Sequence, residues 1–325
     1  MGNAVDSSGT NGTASVFVAV PSYNHAPFIE ECLRSIFGQT LHPAKLLVID
    51  DGSRDGSPAI IERVLQECPF DAELIVRENR GLCRTLNQAL DASSGEYFAY
   101  IGSDDFWLPE FLAARFEMME SRPDAVLGYG HAYLVDDAGE RFDRTDDHTD
   151  DWADYPDGDA RPMLLEGIAP ISSSIFYRRS ALDKVRWNED ARLEDYEMYL
   201  RLMNLGEFAF DPRVLSAWRH HGYNTSGDHK LMLDEVLAAQ ERNFDRLGVS
   251  RAELDKIQAR TKFRYARIQL QHGNKRSALR LAGESWRGAA SHLQLGKFAA
   301  RMLVPMPVVE MRRSFKRKGK KDHTN

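Results

Sequence analysis

The feature that most constrains this chain is an alternation of short, unbroken apolar runs with stretches whose apolar residues recur at helical spacing. SVFVAVPS (15–22) and KLLVIDDGS (45–53) are continuous apolar runs, one closed by Pro21 and the other breaking off in charge and glycine. Runs of this kind are strands buried on both faces. Between them, PFIEECLRSIFG opens with Pro27, sets Phe28, Ile29, Cys32, Leu33, Ile36 and Phe37 on one helical face, and ends at Gly38, which is a helix with its usual punctuation. The order repeats as a helix over 57–66, a strand over 72–76, a helix over 82–92, a strand over 96–101 and a helix after Pro109. The expectation is an α/β chain with a doubly wound, mostly parallel sheet, whose ligands collect beyond the carboxyl ends of the strands.

The 325 residues suffice for one large domain or two ordinary ones. Segment 136–159 carries eleven acids against two bases, a density that predicts a mobile surface loop and, beside a ligand site, a lid. Strand-like patterning resumes in APISSSIFYRRSAL, followed by a helix in LEDYEMYLRLMNLG, and from His229 onward the periods are all helical. The expected division is a polar leader over 1–14, an α/β domain over 15–228, a helical appendage over 229–303 and a basic tail over 304–325.

Charge separates the two ends. The last thirty residues carry nine Lys or Arg and two acids, whereas residues 1–295 hold 33 bases and 47 acids. An acidic body argues against nucleic acid as a partner, and a basic, apolar-interleaved tail suits an anionic membrane face. Three cysteines without CxxC spacing suit a reducing cytoplasm, and no run approaches a membrane span.

Three polar clusters have the composition for chemistry. Asp50-Asp51-Gly52-Ser53 follows the second strand and Pro21-Ser22-Tyr23-Asn24 ends the first; carboxylates there accept hydrogen bonds from a base or ribose. Gly102-Ser103-Asp104-Asp105 follows the fourth strand, where paired acids suit Mg²⁺ or Mn²⁺ and the phosphate oxygens such ions share. Glu194-Asp195 opens a helix, and Trp218-Arg219-His220-His221 lies about 25 residues further on, offering a general base and an imidazole ligand. Each cluster alone also reads as a turn, a cap or dipole stabilisation. Ile49 stands where an Asp-x-Asp-Gly phosphatase needs its nucleophile, and neither GxGxxG nor GxxxxGK occurs.

Taken in order, P-x-Y-N, D-D-G-S, N-x-G-x5-N (Asn79, Gly81, Asn87), G-E-Y…S-D-D, E-D-Y-x-x-x-L-R-L and W-R-H-H-x-x-N-x-S span about 15–226. The set resembles the family 2 glycosyltransferases of the GT-A fold. That resemblance implies an inverting, metal-dependent transfer of a sugar from a nucleoside-diphosphate donor, with a lean to UDP, to a saccharide or lipid-linked acceptor. It implies that Pro21, Tyr23, Asn24 and Asp51 hold the nucleoside, that Asp104 meets ribose or metal, that Asp105 and His221, with His220 as the neighbouring alternative, ligate Mn²⁺ or Mg²⁺, and that Asp195 is the catalytic base. Two positions depart from the family pattern: Gly102 replaces an acid, and Leu86 replaces an arginine, leaving Arg84 or Arg80 to serve the diphosphate. The rival expectation is a catalytically weak sugar-nucleotide-binding protein on the same fold.

Overall fold

The computed structural model describes residues 14–147, 155–222 and 224–304. The chain runs β1 (Ala14–Ser22), α1 (Ile29–Phe37), β2 (Pro43–Asp50), α2 (Ser57–Leu65), β3 (Ala72–Val76), α3 (Leu82–Ala92) and β4 (Tyr97–Tyr100). There follow β5 (Phe106–Trp107), α4 (Phe111–Glu120), β6 (Ala125–Val135), β7 (Arg141–Arg144), α5 (Arg161–Leu165), β8 (Phe176–Arg178), α6 (Arg179–Val185), α7 (Asp195–Leu202) and β9 (Glu207–Arg219). The remainder is helical: α8 (His229–Arg242), α9 (Phe244–Leu247), α10 (Arg251–Gln271), α11 (Lys275–Ser285) and α12 (His292–Leu303).

The strands form one sheet in the order β3-β2-β1-β4-β8-β6-β9-β5, with β7 paired to β6. β1, β2, β3 and β4 are parallel, as the repeated βαβ pattern predicts, and β6 runs parallel to β9 over their length, so the mixed sheet is mostly parallel. The unbroken apolar run of β1 is used on both faces. Val16, Val18 and Val20 pack with Ile29, Cys32, Leu33 and Ile36 of α1, whereas Phe17 and Ala19 join Leu86, Ala89 and Leu90 of α3 on the other side. Their alternation follows from the two-residue period of a strand.

Two elements depart from expectation. The helix expected to open at Pro27 begins at Ile29. The acidic segment, expected as a mobile loop, is folded over most of its described length: Asp136 accepts the amides of Ala138 and Glu140 in a turn, and β7 then pairs with β6. Three arginines tie it down locally. Arg141 lies 4.0 Å over the Tyr133 ring, Arg144 pairs with Asp146, and Arg122 reaches Asp157 from α4. Tyr155 is buried, stacked on His131 at 5.1 Å. The central part of the expected lid, 148–154, lies outside the described residues, as do most of the leader (1–13) and of the tail (305–325).

Packing continues past residue 228. Val236 and Ala239 of α8, Leu247 of α9 and Leu254 of α10 join the main core, and only beyond them do Phe263, Ala266, Leu270, Ala278, Ala282 and Phe298 make a second, smaller core. Among the described residues no helix is long and apolar enough to cross a membrane.

The interior also holds an ion pair. Arg115 of α4 is fully buried and donates to Asp211 of β9 at 2.7 Å, and Gly130 of β6 leaves the guanidinium its space, because a Cβ there would strike Arg115 and the backbone of Asp211. Removing one partner strands a buried charge. Asp211→Ala is expected to lower the unfolding free energy by about 3–5 kcal/mol in urea titrations; a loss below about 1 kcal/mol would mean that the pair adds little.

Candidate active site

The carboxyl ends of β1, β2 and β4 open onto a cleft of about 1200 Å³, larger than one small molecule needs. Its far wall comes from the loop at 167–172, from the start of α7, and from His229, Met232, Arg264, Tyr265 and Ile268 of α8 and α10. Arg264 ties that wall together by donating to the Gly167 carbonyl at 2.5 Å.

The strand β2 ends in a tight turn because Asp50 accepts the Ser53 amide and hydroxyl at 2.8 and 2.7 Å. Gly52, at φ +83°, passes so close to the next loop that a Cβ would lie 2.8 Å from the Asn79 amide nitrogen. Only glycine tolerates that conformation and approach. Asp51 is thereby held in the cleft wall, accepting the Arg80 and Gly81 amides at 2.8 Å each and a further bond from Arg77. Pro21, Tyr23 and Asn24 line the same end, with Tyr23 about half exposed at the rim. Asn24 adopts a left-handed φ of 55° and caps the Arg54 amide with its side chain.

Across the floor, His221 Nε2 lies 3.0 Å from Asp104 Oδ2 and His25 Nδ1 lies 3.7 Å from Asp104 Oδ1. One ligand atom from each of His25, Asp104 and His221 falls within 4.8 Å of the other two. The His221 ring stacks on Phe28 at 4.9 Å, and His25 bonds Ser103 Oγ at 2.8 Å. Burial lowers the His25 pKa despite the opposing charge of Asp104, which favours the neutral, ligating imidazole. Burial alone raises the Asp104 pKa, but the His221 hydrogen bond and the charge of His25 outweigh it, leaving the carboxyl below its usual range. His220 turns the other way, its ring 4.2 Å from that of Trp218.

Asp105, expected to ligate metal, has another environment. Its carboxylate accepts the backbone amide of Arg219 at 2.8 Å, and burial, then the charge of Asp104, pushes its pKa up. Asp105 thus fixes the end of β9, while the imidazole beside Asp104 that expectation did not include is His25. At Gly102, where the sequence departs from the family pattern, a Cβ would lie 2.7 Å from Asp104 Oδ1, so a larger residue there would shift that carboxylate. Arg84, expected at the diphosphate, stands outside the cleft, half exposed and paired with Glu189 at 3.1 Å.

Glu194 and Asp195 sit half-buried at the start of α7, on the cleft surface. Burial raises the Asp195 pKa against a hydrogen bond from the Tyr196 amide, and burial with the neighbouring Asp195 charge raises Glu194 to about 8. The Tyr100 hydroxyl donates to Glu194 at 3.3 Å. Of the groups that sequence reasoning left unassigned, His25 directly follows the P-S-Y-N motif and was open to inference from an unfilled ligand set, whereas nothing in the helical periods marked Arg264 or Tyr265 as cleft residues.

His25, Asp104 and His221 form a group that could hold a cation, and two outcomes are expected if they do. Gly102→Ala displaces the Asp104 carboxylate, and Arg219→Gln releases the strand end that carries His221. Each is expected to weaken Mn²⁺ affinity by about 10- to 100-fold, read by titration calorimetry with nucleoside diphosphate present; unchanged affinity would separate these residues from the site.

Comparison with known proteins agrees with this architecture. The chain is 30% identical over 175 residues to the putative glycosyltransferase EpsH of Bacillus subtilis, covering 54% of this chain and 50% of that protein. It is 30% identical over 128 residues to the putative teichuronic acid biosynthesis glycosyltransferase TuaG of the same organism, covering 39% and 51%. The chain spans about half the length of these curated relatives. Among solved structures, the fold is similar to the mannosyltransferase PcManGT of Pyrobaculum calidifontis in complex with GDP-Man and Mn²⁺, at a TM-score of 0.59, 18% identity, and coverage of 95% of this chain and 87% of that one. Residues 17–186 match the profile of Glycosyl transferase family 2, and with more than half of its length so matched the chain belongs to that family.

Proposed function

We propose that the protein is an inverting, metal-assisted enzyme that moves a sugar from a nucleoside-diphosphate donor to an acceptor hydroxyl in the assembly of a polysaccharide, lipopolysaccharide or other glycoconjugate. The carrying observation is that Asp51, the His25–Asp104–His221 group and Asp195, distant in sequence, line one cleft with room for two ligands.

The nucleoside lies at the end formed by Pro21, Tyr23, Asn24 and Asp51. Asp51 Oδ2 accepts one backbone amide, so a carboxylate lone pair is left for a base or ribose donor. His25, Asp104 and His221 would hold the cation, and a mixed set of imidazoles and carboxylate suits Mn²⁺ better than Mg²⁺, which prefers all-oxygen coordination. A divalent ion there supplies Lewis-acid stabilisation of the departing diphosphate. Asp195, near the loop at 167–172 and the helical wall, takes the proton of the acceptor hydroxyl as it attacks the anomeric carbon. Glu194, with its pKa of about 8, keeps its proton near neutrality while Asp195 ionises, so that two neighbouring carboxyls divide between neutral and basic forms. The basic composition of residues 305–325 supports work at the cytoplasmic face of a membrane on a lipid-linked acceptor.

Asp195→Asn is expected to keep nucleotide–Mn²⁺ binding in thermal shift and to lose at least about 10²-fold in transfer; near-normal turnover would refute the base assignment. Raised native pKa values mean that activity and stability respond oppositely to pH. Transfer needs the Asp195 carboxylate, so kcat/KM rises with pH through a limb above the ordinary aspartate value of about 3.9. The folded state holds the Glu194 proton that the unfolded chain releases, so its stabilising contribution is present in acid and fades as pH climbs to about 8. Glu194→Gln is expected to remove that stability change and to preserve the neutral-pH rate.

A further inference from the structure

We infer that a basic hollow between α10 and α12 binds the phosphate headgroup of an anionic membrane lipid and seats the last helices on the bilayer. The hollow, about 320 Å³, is walled by Arg267 of α10 and by Lys297 and Arg301 of α12, with Ser291 at one end and Leu270 and Phe298 beneath; among the described residues no acid lines it. Lys297 and Arg301 stand four residues apart on one exposed helical face, an arrangement of like charges that costs energy until an anion joins them. Lys297 and Arg301, with Arg267 on the facing helix, offer the cationic lining that a phosphate oxyanion takes.

The surroundings select a lipid over a free phosphate. Leu293, on the border of the hollow, is 67% exposed, and Leu303 at the end of α12 is 85% exposed. On α11 and the turn after it, Leu279 and Trp286 are 60% and 53% exposed. They lie seven residues apart, hence on one side of a helical path, among the exposed Arg276, Arg280 and Arg287. Exposed aliphatic and indole groups between cations match a surface that lies in the headgroup layer, and a soluble ion would use none of them. Beyond Val304 the sequence adds seven more Lys or Arg against two acids, so its composition carries the same sign of charge as the folded face.

The consequence for the cleft runs through α10. Arg264, Tyr265 and Ile268 face the cleft, whereas Arg267 and Leu270 face the hollow. A bilayer at the hollow is therefore one helix away from the wall near Asp195, the side suited to a lipid-linked acceptor. That consequence rests on the proposed transfer; the lipid binding itself does not.

Flotation of the full chain with vesicles tests the inference. Wild type is expected to float with phosphatidylcholine–phosphatidylglycerol vesicles and to stay behind with phosphatidylcholine alone. Each cation near the surface contributes about 1 kcal/mol, so the triple variant Arg267→Gln, Lys297→Gln, Arg301→Gln should lose on the order of 10²-fold in partitioning. The double variant Lys297→Glu, Arg301→Glu changes only exposed positions and should lose more than one decade, and Leu293→Ser with Trp286→Ser should also weaken binding. Equal partitioning of wild type and both charge variants, dependence on 305–325 alone, or equal binding to neutral vesicles would overturn the inference. So would a thermal shift with inorganic phosphate that the variants abolish while wild type fails to float. Nucleotide–Mn²⁺ thermal shifts, run in parallel, confirm that the variants are folded; their failure in wild type would count against the glycosyl transfer and leave the lipid result standing.

Discussion

The site depends on one buried cation. Arg219, at the end of β9, is 1% exposed, a position at which a guanidinium is tolerated only if its donors are satisfied. Its Nε donates to the Asp104 carbonyl at 2.8 Å, Nη1 to the Asp136 and Asp137 carbonyls, and Nη2 to Glu31 at 2.5 Å, while the plane lies 4.9 Å from Phe28 and 5.6 Å from Phe106. Its backbone amide meanwhile binds Asp105. One side chain thereby joins α1, the turn after β4, the β6–β7 hairpin and the last strand, and it sets His221 two residues later against Asp104. The adjacent acids consequently part company: Asp104 faces its imidazoles and stays ionised, while Asp105 is turned inward and its pKa is driven up.

The cleft has walls of different kinds. The side that carries Asp51 is built from the ends of parallel strands buried on both faces, with glycine and Asx turns that leave little freedom. The opposite side is assembled from the loop at 167–172 and two helices that sequence patterning separates from the α/β part, yet Val236 and Leu254 anchor those helices in the main core. One half of α10 closes the cleft while its remaining face carries α11 and α12. Helix α10 is therefore the physical link between the cleft and the basic, partly apolar outer surface.

Local order was legible where periodicity was clean. The strand at 72–76 and the helix at 82–92 have the limits that pattern predicts. The long strands β6 and β9 were not legible, because Gly128, Gly130 and His131 interrupt the first, and Asp211-Pro212-Arg213 the second. Those interruptions are tertiary accommodations. Met118 and Met119 approach Gly128, Arg115 fills the space at Gly130, and the β6–β9 register shifts beside Gly130. The acidic segment misled for a related reason: one of the groups that anchors it is Arg122 on α4, outside the segment, paired with Asp157.

By itself, then, the order of motifs determined the family, the parallel half of the sheet, and the presence of Asp51, Asp104, Asp195 and His221 at or near strand and helix ends, since short-range spacing governs where apolar runs stop. Only the tertiary structure decided that His25 joins Asp104 and His221, that Asp105 pins a strand, that Arg84 leaves the cleft for Glu189, and that α8 and α10 close the far wall. These outcomes turn on which of several similar side chains is desolvated and which is paired, and that is set by contacts between segments roughly eighty to two hundred residues apart, as in His25–Asp104 and Glu31–Arg219.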